Sequence, residues 1–187
     1  EEQGYSVDII TQEDLHREPV ALAGYACAVF VGHDEYWTRE MRDHVDAFVE
    51  RGGNVARFAG NFMWQIRLED DHKRQVAYKY DARTLDPFVN VDPARLTSAW
   101  EDPLVNSPRG YQVFRPLHWC FADTGLAYAD MFGDEANIFG YEVDGLDYTF
   151  VEGLPEPLGT DGAPPGLEIL AMGWATSAEH GRGEDAY

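Results

Sequence analysis

Apolar positions fall in two periods along this chain. The run Ala26-Cys27-Ala28-Val29-Phe30-Val31 is continuously apolar and bounded by glycines, which predicts a buried parallel strand. Met41, Val45, Phe48 and Val49 then recur at helical spacing behind Thr38, a residue suited to cap a helix start, and Gly52-Gly53 stops the run. Asn54-Val55-Ala56-Arg57-Phe58-Ala59 reads as the next strand. Residues 26–59 therefore predict one strand-helix-strand unit with a right-handed crossover. Upstream, Tyr5 to Ile10 alternates like a strand, and Thr11 with Asp14 marks a helix start before Pro19. Two such units in succession predict a doubly wound α/β layer, in which ligands collect beyond the carboxyl ends of the strands.

Past residue 60 the pattern turns aromatic and loop-rich. Asn61 to Leu68 and Gln75 to Tyr80 alternate like strands separated by the charged turn Glu69 to Arg74. Asp86-Pro87, Asp92-Pro93, Asp102-Pro103 and Ser107-Pro108 punctuate an irregular insertion over about residues 81–136. Asn137 to Gly145 and Leu167 to Met172 are strand-like, and Gly153 to Gly166, with four prolines and four glycines, reads as a surface loop. The 187 residues suit one domain. Entry almost at once into a strand, and the polar trail from Glu179 to Tyr187, are expected of a piece of a longer chain.

Charge narrows the partners. The 34 acidic against 14 basic residues give a formal net charge of -20, which repels phosphate backbones and anionic lipid and argues against nucleic-acid or membrane roles. No apolar run approaches bilayer length. The basic residues are Arg apart from Lys73 and Lys79, which leaves two readings open, salt adaptation and a solubilising surface from an arginine-favouring genome. Cys27 and Cys120 read as reduced, buried thiols in a cytoplasmic protein. His44 is expected on the exposed side of its helix, His72 in a charged turn, and His118 hydrogen-bonded in a core.

The familiar catalytic templates are missing. The chain has no glycine-rich phosphate loop with a following Lys, no paired-cysteine zinc pattern, no His-Glu-x-x-His helix and no Gly-x-Ser-x-Gly elbow. It has instead a density of Tyr, Glu, Asp and His near strand ends, above all in Gly32-His33-Asp34-Glu35-Tyr36-Trp37, and these are ligands for a hard, oxygen-preferring metal.

That hexapeptide, Met41-Arg42-Asp43, Gly52-Gly53-Asn54, Gly60-Asn61, Trp64-Gln65-Ile66-Arg67, Ala77-Tyr78-Lys79 and Gly140-Tyr141-Glu142-Val143-Asp144-Gly145 occur in one order over roughly residues 5–175. Together they resemble the catalytic, C-terminal region of the large (beta) subunit of the N,N-dimethylformamidase family. The resemblance implies a three-layer, mostly parallel α/β fold of the class I glutamine-amidotransferase-like (flavodoxin-like) kind, and hydrolysis of a small N-substituted amide to amine and carboxylate. It further implies a mononuclear ferric iron held by Tyr36, Tyr78 and Glu142, a possible homo-oligomer and a small companion subunit. Tyr80, two residues beyond Tyr78, is the rival second tyrosine.

The implied trio is chemically coherent. A tyrosine titrates near pKa 10, so binding as phenolate at neutral pH requires a strongly Lewis-acidic ion. Two phenolates and a carboxylate balance Fe(III) and leave positions open for water and the amide oxygen. Such an ion polarises the carbonyl and activates water. A base must guide that water and an acid must protonate the departing amine; Glu35, Asp34 and His33 stand nearest to Tyr36, and Glu35 and His33 are the groups expected in those roles. The competing reading is a non-catalytic amidotransferase-like module that serves binding or assembly within a larger protein.

Overall fold

The computed structural model describes residues 4–58, 60, 63–91, 110–138, 145–160 and 163–173. The protein is mixed α/β with small sheets, two of which contain parallel pairs. It forms two compact units, one of residues 1–59 and 63–97, the other of residues 60–62 and 98–187.

The first unit opens with helix α1 (Gln12–Arg17), whose start is a reciprocal cap: Thr11 accepts from the Asp14 backbone while the Asp14 carboxylate accepts from the Thr11 N–H at 2.8 Å. Strand β1 (Cys27–Val31) leads to the short β2 (Tyr36–Thr38), helix α2 (Arg39–Glu50) and β3 (Asn54–Phe58). β1 and β3 pair in parallel, Ala28 opposite Val55 and Phe30 opposite Arg57, so the predicted strand-helix-strand unit is present. Thr38 caps α2 through Met41 N–H at 3.3 Å, and Met41, Val45 and Phe48 are buried along one face. A second sheet sets β2 parallel to β4 (Trp64–Glu69), which pairs antiparallel with β5 (Arg74–Ala77). The Phe30 ring lies 5.0 Å from the Trp37 ring, joining the two sheets through one of the most buried side chains in the protein.

The second unit holds an antiparallel sheet of β6 (Tyr111–Val113), β7 (Met131–Phe132) and, after the hairpin β8 (Tyr148–Val151) and β9 (Leu154–Pro157), β10 (Ala171–Met172) on the other side of β6. The hairpin turns at Glu152 and Gly153, both with positive φ, as a two-residue loop of right-handed twist requires. Its core gathers Phe114, Ile169 and Met172 under Leu146, Tyr148, Leu154 and Leu167.

Several expectations are corrected. Residues 5–10 form no strand; Tyr5, Val7 and Ile9 are exposed, and the alternation has no hydrogen-bonding neighbour to turn it into a ladder. β1 is covered on one face only: Ala28 is buried, whereas Val29 and Val31 stand open. Cys27 and Cys120 are both exposed free thiols, because Cys27 falls on the uncovered face and Cys120 on a surface turn. Val49 is exposed, one position past the apolar stripe. His44 is half-buried, its Nδ1 2.7 Å from the Leu15 carbonyl, tying α2 to α1. The proline- and glycine-rich stretch from residue 153 contains β9.

Candidate active site

The hexapeptide does lie just past the end of β1, where Gly32 turns with φ +77°. Asp34 is its organising side chain. The Gln12 amide donates to the Asp34 carboxylate, and Arg57 Nη1, from β3, donates to it at 3.3 Å. Asp34 and Arg57 retain only 16% and 15% side-chain exposure, so this is a mostly desolvated ion pair between two strand ends. Glu35 is half-buried and its carbonyl accepts from the Trp64 N–H, which starts the β2–β4 ladder; His33 is exposed.

Tyr36 begins β2 directly opposite Trp64, and the Lys79 ammonium sits 4.9 Å from the Tyr36 ring centre and 5.5 Å from that of Trp64. Tyr78 follows the last residue of β5. Its backbone is α-like and Lys79 has φ +45°, so the chain leaves the sheet there into a 3-10 turn. Both tyrosines are thus brought to one end of one three-stranded sheet. Their rings take different sides of it. Tyr36, Trp64, Ile66 and Ala77 share one face by register, while the Tyr78 ring lies 5.4 Å from the guanidinium of Arg67, whose register partner is Val76 on the other face.

Arg67 is itself held by a buried acid. It donates through Nη2 to Asp86, whose side chain is 1% exposed and whose same oxygen caps Phe88 N–H at 2.7 Å. The Phe88 ring is flanked by Arg67 at 4.8 Å and Arg39 at 4.9 Å. Neither Asp34 with Arg57 nor Arg67 with Asp86 was singled out by sequence reasoning. The available signal was an arginine between apolar neighbours within each strand, Ala56-Arg57-Phe58 and Ile66-Arg67-Leu68, since a part-buried cation demands a partner.

Glu142 lies outside the described residues, as does the side chain of the rival Tyr80. Among the described residues no three His, Cys, Asp or Glu side chains converge as a metal site. The expected donor set, with two phenols, is of another kind. Its chemistry suits a hard trivalent ion.

Residues 1–186 match the family model described as N,N-dimethylformamidase beta subunit-like, C-terminal. The chain belongs to that family. Membership in the N,N-dimethylformamidase beta subunit-like family covers both compact units, so the hexapeptide, the second sheet and the antiparallel unit are all parts of the family's C-terminal region. A comparison with curated proteins gives no match. No helix among the described residues is long and apolar enough to cross a membrane.

Proposed function

We propose that this chain belongs to an iron-dependent amidohydrolase that cleaves the C–N bond of a small N-substituted amide, dimethylformamide-like, with Tyr36, Tyr78 and Glu142 as the residues that would hold a mononuclear ferric ion. The observation that carries the reading is the full-length family match, joined to the placement of Tyr36 and Tyr78 at one end of the β2-β4-β5 sheet. When bound, the ion supplies Lewis-acid polarisation of the amide carbonyl and acidifies water.

The chain's own residues account for the rest. Asp34, pinned by Gln12 and Arg57, holds the segment from which Tyr36 projects, so Tyr36 is positioned before substrate arrives. The Lys79 ammonium and the Arg67 guanidinium lie against the Tyr36 and Tyr78 rings and help hold them in place at that sheet end. Glu35, half-buried beside Tyr36, is the group for guiding water, and the exposed His33 is the group for delivering a proton to the departing amine. The finer fold assignment, a three-layer amidotransferase-like domain with an insertion, belongs to this proposal too, and the beta-subunit description supports a small companion subunit.

The separation of the two tyrosine rings onto opposite sheet faces favours a second reading, a non-catalytic assembly module. Elemental analysis and visible spectroscopy of the purified protein decide between them. The amidohydrolase reading expects about one iron per chain for a three-ligand site, with a phenolate-to-iron charge-transfer band that weakens in Tyr36→Phe, and release of amine from dimethylformamide. A colourless, iron-free protein without amidase activity after iron is supplied establishes the module.

A further inference from the structure

Three features hold groups that the proposed reaction does not use directly: the bare face of β1 and β3, the buried Arg67–Asp86 pair, and a cluster in the antiparallel unit around His118. The first has nothing to say what covers it, and the second serves Tyr78. The third is assembled for chemistry.

His118 Nδ1 lies 3.1 Å from Cys120 Sγ, and the other ring nitrogen, Nε2, lies 3.6 Å from a Glu168 carboxylate oxygen. The Cys120 backbone N–H also donates to Nδ1, at 3.3 Å. A nitrogen that accepts a backbone N–H presents its lone pair, so the ring proton belongs on Nε2, facing Glu168. That tautomer leaves one lone pair on Nδ1, shared between the Cys120 N–H at 3.3 Å and the thiol at 3.1 Å, so taking up the thiol proton displaces the longer backbone hydrogen bond. The order is nucleophile, base and orienting carboxylate, with the two partners on opposite ring nitrogens. Because they do not converge on one point, they form a proton relay rather than a metal cage, in keeping with the lack of a three-ligand group among the described residues.

The thiol is also reachable. Cys120 is exposed, and Trp119, its ring 5.3 Å from that of His118 and tilted 40° to it, is 80% exposed and gives an aromatic reagent a surface to lie on. An exposed thiol with a base beside it suits modification by a small reagent. Cys27 is a built-in comparison: it too is exposed, but its thiol donates to the neighbouring Ala28 carbonyl at 3.6 Å, and among the described residues no base pairs with it.

We propose that Cys120, with His118 as its base and Glu168 as the residue that positions His118, is a site of reversible thiolation by low-molecular-weight disulfides. In that step the Cys120 S–H bond breaks and its proton passes to His118 Nδ1. The thiolate attacks one sulfur of the disulfide, a new S–S bond forms, and the original S–S bond breaks. Cys120 is oxidised, the departing sulfur is reduced to a thiolate, and His118 returns the proton to it or to solvent.

The probe is 4,4′-dithiodipyridine, a neutral aromatic disulfide chosen because a chain of net charge -20 repels anionic reagents. Cys27→Ser reports the rate at Cys120, and Cys120→Ser the rate at Cys27, each followed by thiopyridone absorbance in the intact folded chain. A free thiol is only a few per cent ionised at neutral pH, so assistance by a base predicts Cys120 faster than Cys27 by about tenfold at pH 7. His118→Asn, which retains a capping oxygen, brings Cys120 down to the Cys27 rate, and its rate then climbs with pH like an ordinary thiol, through about 8.5. Glu168→Gln produces a smaller loss. Equal rates at the two cysteines, or a His118→Asn rate unchanged across the pH range, overturns the proposal.

Discussion

Removing the carboxylate of Asp86 gives the sharpest test of how the sheet end around Tyr78 is held. Asp86 is 1% exposed and Arg67 16%, and each retains buried polar atoms that find no hydrogen-bond partner among the described residues: Oδ2 on Asp86, and Nε and Nη1 on Arg67. Asp86→Ala strands the guanidinium in a desolvated place and deletes the cap on Phe88 N–H, and breaking a buried pair from one side costs about 3–5 kcal/mol. With a urea dependence of about 2 kcal/mol per molar, the midpoint falls on the order of 2 M. The double replacement Arg67→Met/Asp86→Leu has the opposite outlook. It removes both charges and all three orphaned atoms, and exchanging a buried pair for apolar residues of similar volume is neutral or stabilising by about 1–4 kcal/mol. Urea unfolding of the parent, Arg67→Met, Asp86→Leu and the double variant, followed by tryptophan fluorescence, reads the coupling directly, with Asp86→Ala measured beside them. A double variant as unstable as Asp86→Ala would refute the reasoning, since the loss would then come from shape and not from an uncompensated charge.

Two other changes probe the same unit. A Cβ at Gly53 would sit 2.3 Å from Phe48 Cζ inside the core, so Gly53→Ala is expected to lower stability by about 1–3 kcal/mol through overpacking, and Phe48→Leu in the same chain should recover part of it in thermal unfolding. At the start of α1, hydrogen bonds from Thr11 hold the Asp14 carboxyl below its ordinary 3.8, and the Arg17 hydrogen bond holds Glu13 below 4.5. A carboxylate with a depressed folded pKa stabilises above its unfolded value and loses that contribution as pH falls through the folded one. Amide exchange in α1 should therefore quicken relative to α2 below about pH 4, the carboxylate range, and Thr11→Ala should blunt the change; an α1 that keeps its protection at pH 2 contradicts it.

Local rules carried the reading of the first unit. Thr11 with Asp14, Thr38, the Met41-Val45-Phe48 face and the Gly52-Gly53 stop are each contained within one turn or one helix face, and each is present as expected. What depended on distant partners was less legible. Tyr5 to Ile10 has the alternation of a strand but no ladder to join, and Cys27 falls on the uncovered side of β1. The second sheet ends at Ala77, three residues earlier than alternation suggests, because Tyr78 turns α-like and Lys79 adopts a positive φ, which no period in the sequence announces. In the candidate site, Tyr36 and Tyr78 share a sheet end, but which face each ring takes is decided by Lys79 and Arg67, chosen through pairings dozens of positions apart in one case and about a dozen in the other. Asp34 went unassigned among the candidate groups because its partners, Gln12 and Arg57, lie 22 and 23 positions away.

The parallel ribbon of β1 and β3 has a bearing on how this molecule behaves in the test tube. Val29, Val31 and Phe58 line one side of it, each more than half accessible, so every chain carries an adhesive strip. Mutual repulsion between strongly anionic particles is what holds such strips apart, and added electrolyte shortens its range to about 8 Å at physiological ionic strength. Dilute buffers thus preserve dispersion of this chain, and concentrated salt favours clumping.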